Sequence, residues 1–129
     1  METTKPTSNK NFAISVRNAL RGICVAFGDS GHLRFHFAMA VIFLALGFYF
    51  GLTSYEWLVL VLIIAAVIFA EIVNTCFEDI ENVIRDHAGV PYEFTGKAKD
   101  MASGAVLVLS IAAVAIGIVI FYQRLLGLF

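Results

Sequence analysis

The sequence predicts an all-α integral membrane protein with three transmembrane helices and an amphipathic surface helix near its N-terminus. Apolar residues make up 60% of the 129 residues and charged residues only 15%, whereas about a quarter of the residues of a soluble domain are charged. A soluble chain of this length would have too little interior to bury so much apolar surface. Three separate apolar runs are each long enough to cross a hydrocarbon core of about 30 Å.

A polar tail, residues 1–11, is expected to precede a single membrane domain, residues 12–129. In residues 12–27 the apolar side chains recur at helical spacing opposite basic ones. Such a helix can lie flat on a membrane surface, although packing against protein would give the same pattern. Glycines in residues 28–31 are expected to end it. The predicted spans are residues 35–52, 57–85 and 101–121, and a loop marked by Gly and Pro is expected over residues 87–96.

Lysine and arginine are concentrated before the first span and between the second and third spans, and the turn at residues 51–56 has neither. The positive-inside rule therefore predicts that the N-terminus and the second loop are cytoplasmic. The net charge of −1 gives no indication of a nucleic-acid partner.

The second span carries an acidic residue where membrane helices normally have none. Glu71 lies fourteen residues after Trp57, which corresponds to about 21 Å along a helix and is still within the hydrocarbon core. Ionisable residues at such depth are costly and usually functional. A carboxylate held away from water is a candidate general base.

Further polar residues share one helix face with Glu71. Asn74 and Glu78 follow it at spacings of three and seven residues. Glu78 would lie at the cytoplasmic interface, where a carboxylate can hold a Mg²⁺ ion that also binds phosphate oxygens. An ordinary solvated helix end would also explain Glu78 and its acidic neighbours Asp79 and Glu81.

The start of the third span supplies a complement at matching depth. Lys99 can neutralise phosphate charge, and Asp100 can hold a metal or position the lysine. Small residues around Ser103 allow close approach to the second helix. The alternative is that Lys99 and Asp100 only anchor the helix at the interface.

A base inside the bilayer beside a metal-and-phosphate site at its edge suits phosphoryl transfer to a lipid alcohol, because that reaction depends mainly on positioning and charge neutralisation. Two other functions are considered. A small proton-coupled transporter or channel subunit would use Glu71 as a carrier, and a membrane scaffold would use the polar residues to join helices.

Two sequence blocks carry a family resemblance. The run EIVNTCFE, from Glu71 to Glu78, and the run GKAKDMASGAV, which contains Lys99 and Ser103, resemble the two signature blocks of the prokaryotic diacylglycerol kinase family. That family also includes undecaprenol kinases. The resemblance covers residues 12–121 and implies a homotrimer with shared active sites in the bacterial cytoplasmic (inner) membrane.

The resemblance implies a lipid kinase that uses ATP as co-substrate and Mg²⁺, with a membrane lipid alcohol, diacylglycerol or undecaprenol, as acceptor. It implies the following roles: Glu71 and Asn74 are catalytic; Glu78, Lys99, Asp100, Asn18 and Arg21 bind MgATP; Glu71, Ser103 and Arg34 contact the lipid; Glu78 and Asp29 hold the metal. Asp29 is a substitute, because Ser30 stands where relatives have a second metal-binding glutamate. Asn82 stands where relatives have an aspartate, and the loop at residues 86–95 is longer than in better-known members.

Overall fold

The computed structural model describes residues 8–127, with side chains from residue 12 onward, and consists of four helices. These are α1 (Ser8–Asp29), α2 (Gly31–Phe50), α3 (Ser54–Ala88) and α4 (Tyr92–Leu125). No strand occurs in the described part of the chain. Helices α2, α3 and α4 are long and apolar enough to cross a membrane. The predicted fold class, three spans preceded by an N-terminal helix, is therefore confirmed.

Local sequence signals set the helix ends. The Ser30 hydroxyl accepts a hydrogen bond of 3.0 Å from the Leu33 backbone N–H and caps α2. Thr53 and Glu56 form a reciprocal capping box at the start of α3. Gly51, with φ of 62°, ends α2 in the left-handed conformation that glycine adopts without steric cost. The turn between α2 and α3 is consequently short.

The predicted loop over residues 87–96 is mostly wrong. Helix α3 continues to Ala88 and α4 begins at Tyr92, so only residues 89–91 lie between the helices. Pro91, with φ of −61°, precedes the first turn of α4, where its missing N–H costs no helical hydrogen bond. The break predicted over residues 28–31 is likewise shorter, because α1 reaches Asp29 and only Ser30 separates it from α2.

Only part of the expected N-terminal tail, residues 1–11, lies within the described chain. Residues 1–7 lie outside the described part of the chain, and Ser8–Asn11 are helical. Large apolar side chains of α1, including Phe12 and Leu20, are exposed. No protein covers them in the described chain, so the proposed contact with a membrane surface stays a prediction.

The bundle is organised around α3. Helix α4 packs along α3, and α1 contacts both α2 and α3. Helix α2 packs against α3 and also touches α4, where Phe43 and Phe50 contact Phe121. A compact apolar cluster of Leu52, Leu60, Ile120 and Phe121 closes the end near the α2–α3 turn. The polar residues of α3 lie toward its other end, and most side chains of the spans face outward, as expected in lipid.

Candidate functional site

The polar face of α3 is buried against its neighbours. Glu71 is 2% exposed, Asn74 6% and Thr75 3%. Glu78, two turns after Glu71, is partly exposed. Because positions three, four and seven residues apart share a helix face, the polar stripe predicted from sequence is continuous, and it passes from a buried end at Glu71 to an accessible end at Glu78.

Helix α4 meets this stripe with a series of polar contacts. The Ser103 hydroxyl lies 3.0 Å from Asn74 Oδ1, Lys99 Nζ lies 3.6 Å from Glu78 Oε1, and the Thr95 hydroxyl lies 3.4 Å from a carboxylate oxygen of Glu81. The α4 partners are four residues apart, and their α3 partners are three or four apart in the opposite direction, as expected for antiparallel helices. We refer to the three pairs Thr95–Glu81, Lys99–Glu78 and Ser103–Asn74 as the polar ladder.

Glu71 stands one turn beyond the last pair of the ladder. Its backbone carbonyl accepts a hydrogen bond of 3.0 Å from the Thr75 hydroxyl. Among the side-chain hydrogen bonds of residues 12–127, none involves the Glu71 carboxylate. A carboxylate with no internal partner and little contact with water has its lone pairs available to accept a proton from a bound hydroxyl.

Lys99 and Asp100 do not face the same partner. Whereas Lys99 points to Glu78 on α3, Asp100 accepts a hydrogen bond of 3.0 Å from the Tyr92 hydroxyl. Asp100 lines an open cavity of about 470 Å³, whose lining residues are Tyr92, Glu93, Lys97, Asp100 and Met101. The two residues expected to contact phosphates therefore lie on different flanks of α4.

Asn18 and Arg21, expected to contact the nucleotide, lie where α1 crosses α3. They line a second cavity of about 390 Å³ together with Thr75, Cys76 and Asp79 of α3. Thr75 belongs to the buried face that carries Glu71. The fold thus brings the two α1 residues to the polar segment of α3, beside the ladder.

The α1–α2 junction holds the remaining predicted residues. Asp29 is exposed at the end of α1. Arg34 donates hydrogen bonds of 3.2 and 2.7 Å to the carbonyls of Phe27 and Gly28, which caps α1. Ser30 is engaged as the α2 cap. Ser30 and Arg34 thus cap helices at the junction, and Asp29 is exposed beside them. Metal binding by Asp29 and lipid contact by Arg34 stay predictions.

The site offers few protein ligands for Mg²⁺. No group of three or more His, Cys, Asp or Glu side chains converges within the described residues. Mg²⁺ uses one or two carboxylates and takes its other ligands from water and substrate phosphates. The accessible Glu78 carboxylate fits that pattern, and it would hold the ion together with a nucleotide.

A family model decides the classification. The model described as prokaryotic diacylglycerol kinase matches residues 17–121, which include the whole polar ladder. The chain belongs to this family. Membership confirms the predicted resemblance and the prediction of a lipid-kinase enzyme, and it favours that function over the transporter and scaffold alternatives.

Two curated relatives of this prokaryotic diacylglycerol kinase family member carry kinase names. An undecaprenol kinase of Bacillus subtilis (strain 168) is 32% identical over 88% of this chain and 90% of its own length. A diacylglycerol kinase of Synechocystis sp. is also 32% identical, over 92% of this chain but only 66% of its own length. No solved structure matches the chain.

The sequence did not predict two of the polar contacts that α4 makes. The Gly and Pro pattern predicts a loop at Tyr92 and Thr95, although both lie on α4 and contact acidic residues. The burial of Glu81, at 3% exposure, was not foreseen either. One signal was available, because Glu81 and Arg85 are four residues apart, a spacing that favours an ion pair along a helix.

Proposed function

We propose that the chain is an ATP- and Mg²⁺-dependent lipid kinase that transfers the γ-phosphate to the hydroxyl of a membrane lipid alcohol. The observation that carries this proposal is the polar ladder, which includes the accessible Glu78 and ends at Asn74, one turn from the buried Glu71. Undecaprenol and diacylglycerol are the two candidate acceptors, because the named relatives act on them.

Glu71 is the proposed general base. Its carboxylate accepts the proton of the lipid hydroxyl while the hydroxyl oxygen forms a bond to the γ-phosphorus. The bond between the γ-phosphorus and the bridging oxygen breaks, and ADP leaves with the electron pair. The burial of Glu71 within an apolar helix supports this role, since a lipid alcohol presents its hydroxyl at the same boundary.

Glu78 and Lys99 are the proposed phosphate-side residues. Glu78 would hold Mg²⁺, with Asp29 as the second carboxylate, and the bound ion would neutralise phosphate charge. The Lys99 ammonium, 3.6 Å from Glu78, can pair with phosphate oxygens. Asn74, held by Ser103, keeps the α3 face in register with α4. Asn18 and Arg21 would bind the nucleotide from the α1 side.

We further propose a homotrimer with shared active sites in the bacterial cytoplasmic membrane, with the N-terminus in the cytoplasm. The family resemblance supports the trimer, and the distribution of Lys and Arg supports the orientation. Light scattering of the detergent-solubilised chain would give three copies per particle. A monomer that is fully active would overturn the shared-site arrangement.

The decisive experiment measures transfer of labelled γ-phosphate from MgATP by the purified full chain to diacylglycerol, undecaprenol and ceramide in mixed micelles. We expect labelling of one of the first two. Glu71→Gln should lower the rate by about 10²–10⁴-fold, whereas the control Asp86→Asn, which changes an exposed carboxylate paired with Arg85, should be near wild type. Labelling of no lipid would overturn the kinase proposal, and an active Glu71→Gln would overturn the role of Glu71.

A further inference from the structure

Asp100 is held by a contact that is not part of the ladder. The Tyr92 hydroxyl donates a hydrogen bond of 3.0 Å to Asp100 Oδ1. The neighbouring Lys99 points instead to Glu78. Successive side chains on a helix diverge by about 100°, so the two residues leave α4 in different directions, and Tyr92 fixes the direction of the second.

A glycine provides the space for this contact. Tyr92, Gly96 and Asp100 are spaced four residues apart on α4 and therefore share one face. The Tyr92 ring lies so close to Gly96 that a Cβ atom there would overlap the ring. Gly96 is buried, and glycine within a helix carries a conformational cost relative to alanine. The cost is offset by the ring position that only glycine permits.

The charges around Asp100 show what the contact prevents. Lys97 lies three residues before Asp100 and lines the same cavity of about 470 Å³. Without the Tyr92 hydroxyl, the exposed Asp100 carboxylate could pair with Lys97 along the helix. This pairing would compete with phosphate oxygens for the Lys97 ammonium.

We infer that Tyr92 is a positioning residue for the nucleotide side of the reaction: it holds the Asp100 carboxylate at the cavity and keeps the Lys97 ammonium available to phosphate. The inference rests on the proposed kinase function and assigns Tyr92 and Gly96 a role within that site. It predicts an effect on ATP and none on the lipid, because the contact lies on the flank of α4 away from Glu71.

The test compares Tyr92→Phe, which removes only the hydroxyl, with Tyr122→Phe, which alters an exposed tyrosine near the other end of α4. Steady-state phosphate transfer is measured at varied ATP and varied lipid. Tyr92→Phe should raise the KM for ATP by about two- to tenfold, the range expected for one hydrogen bond, and leave the lipid KM and kcat within twofold. Tyr122→Phe should change neither KM.

Gly96→Ala provides an independent route to the same contact. It should raise the KM for ATP as Tyr92→Phe does, and the double variant should be no worse, since both changes remove one hydrogen bond. Gly104→Ala, at a helical position with open space, is the control. If the wild type is active and Tyr92→Phe has the same KM for ATP as Tyr122→Phe, this inference alone is overturned. The same holds if Tyr92→Phe raises the KM for ATP and the KM for lipid equally. A wild type that labels no lipid would overturn the proposed function instead.

Discussion

The hydroxyl of Ser103 on α4 donates a hydrogen bond of 3.0 Å to the side-chain carbonyl of Asn74 on α3, one helical turn from the buried Glu71. It is the member of the polar ladder nearest to the proposed base. Because it lies between two membrane helices, it couples their register to the position of Glu71.

Ser103→Ala should therefore lower both stability and activity. Loss of this partly buried bond should cost about 0.5–1.5 kcal/mol, and a displaced α4 should reduce phosphate transfer. Unfolding in detergent with increasing SDS measures the first effect, and the transfer assay measures the second. Ser110→Ala, two turns further along the same helix, should change neither. Full activity of Ser103→Ala would show that the Ser103–Asn74 hydrogen bond is not needed to position α4 relative to Glu71.

Glu78→Gln should weaken the response to Mg²⁺ more than the response to lipid. A neutral amide binds a hard divalent cation less strongly than a carboxylate does, so the Mg²⁺ concentration for half-maximal transfer should rise by about tenfold or more. A titration of Mg²⁺ at fixed ATP checks this. The same titration with Asp86→Asn should match wild type, and an unchanged midpoint in Glu78→Gln would remove Glu78 from the metal site.

The pair Glu81–Arg85 offers a test of buried charge. Arg85 Nη1 lies 3.2 Å from Glu81 Oε2, and the Glu81 side chain is 3% exposed. Arg85→Met should destabilise the fold by about 1–3 kcal/mol, because it leaves a buried carboxylate without its cation. The double variant Glu81→Met with Arg85→Met should lose less than Arg85→Met alone. Unfolding with increasing SDS gives the free energy of unfolding of both variants and of Arg17→Met, which changes an exposed residue and serves as the control. A double variant less stable than Arg85→Met would contradict it.

A second ion pair closes the other end of the bundle and should affect stability alone. Arg124 Nη2 lies 2.6 Å from Glu56 Oε2, and Arg124 also donates to the carbonyl of Phe50. Glu56→Gln should lower the free energy of unfolding by about 1.5–3 kcal/mol, the range for a hydrogen bond to a charged group. Its kcat should stay near wild type, because the pair lies at the end of α3 away from Glu78. A large fall in kcat without loss of stability would contradict this separation.

The sequence by itself indicated that lipid surrounds the helices, which segments span it, and which residues form the polar face of α3. Apolar runs of sufficient length indicate which segments lie in lipid. A single segment in lipid is expected to be helical, because a helix satisfies its backbone N–H and C=O groups internally. Helical spacing then places Glu71, Asn74 and Glu78 on one side, whatever packs against them. These features are local, so they can be read without knowing any contact between helices.

Only the tertiary structure decided the partners of that face. Gly89, Pro91 and Gly96 predicted a loop by their local preferences, yet packing of Tyr92 across Gly96 and of α4 on α3 makes helix from Tyr92 onward. The register of α4 gives Glu78, Asn74 and Glu81 their partners on that helix. Register depends on how two helices fit together over many turns, and the spacing of residues within one helix does not contain that information.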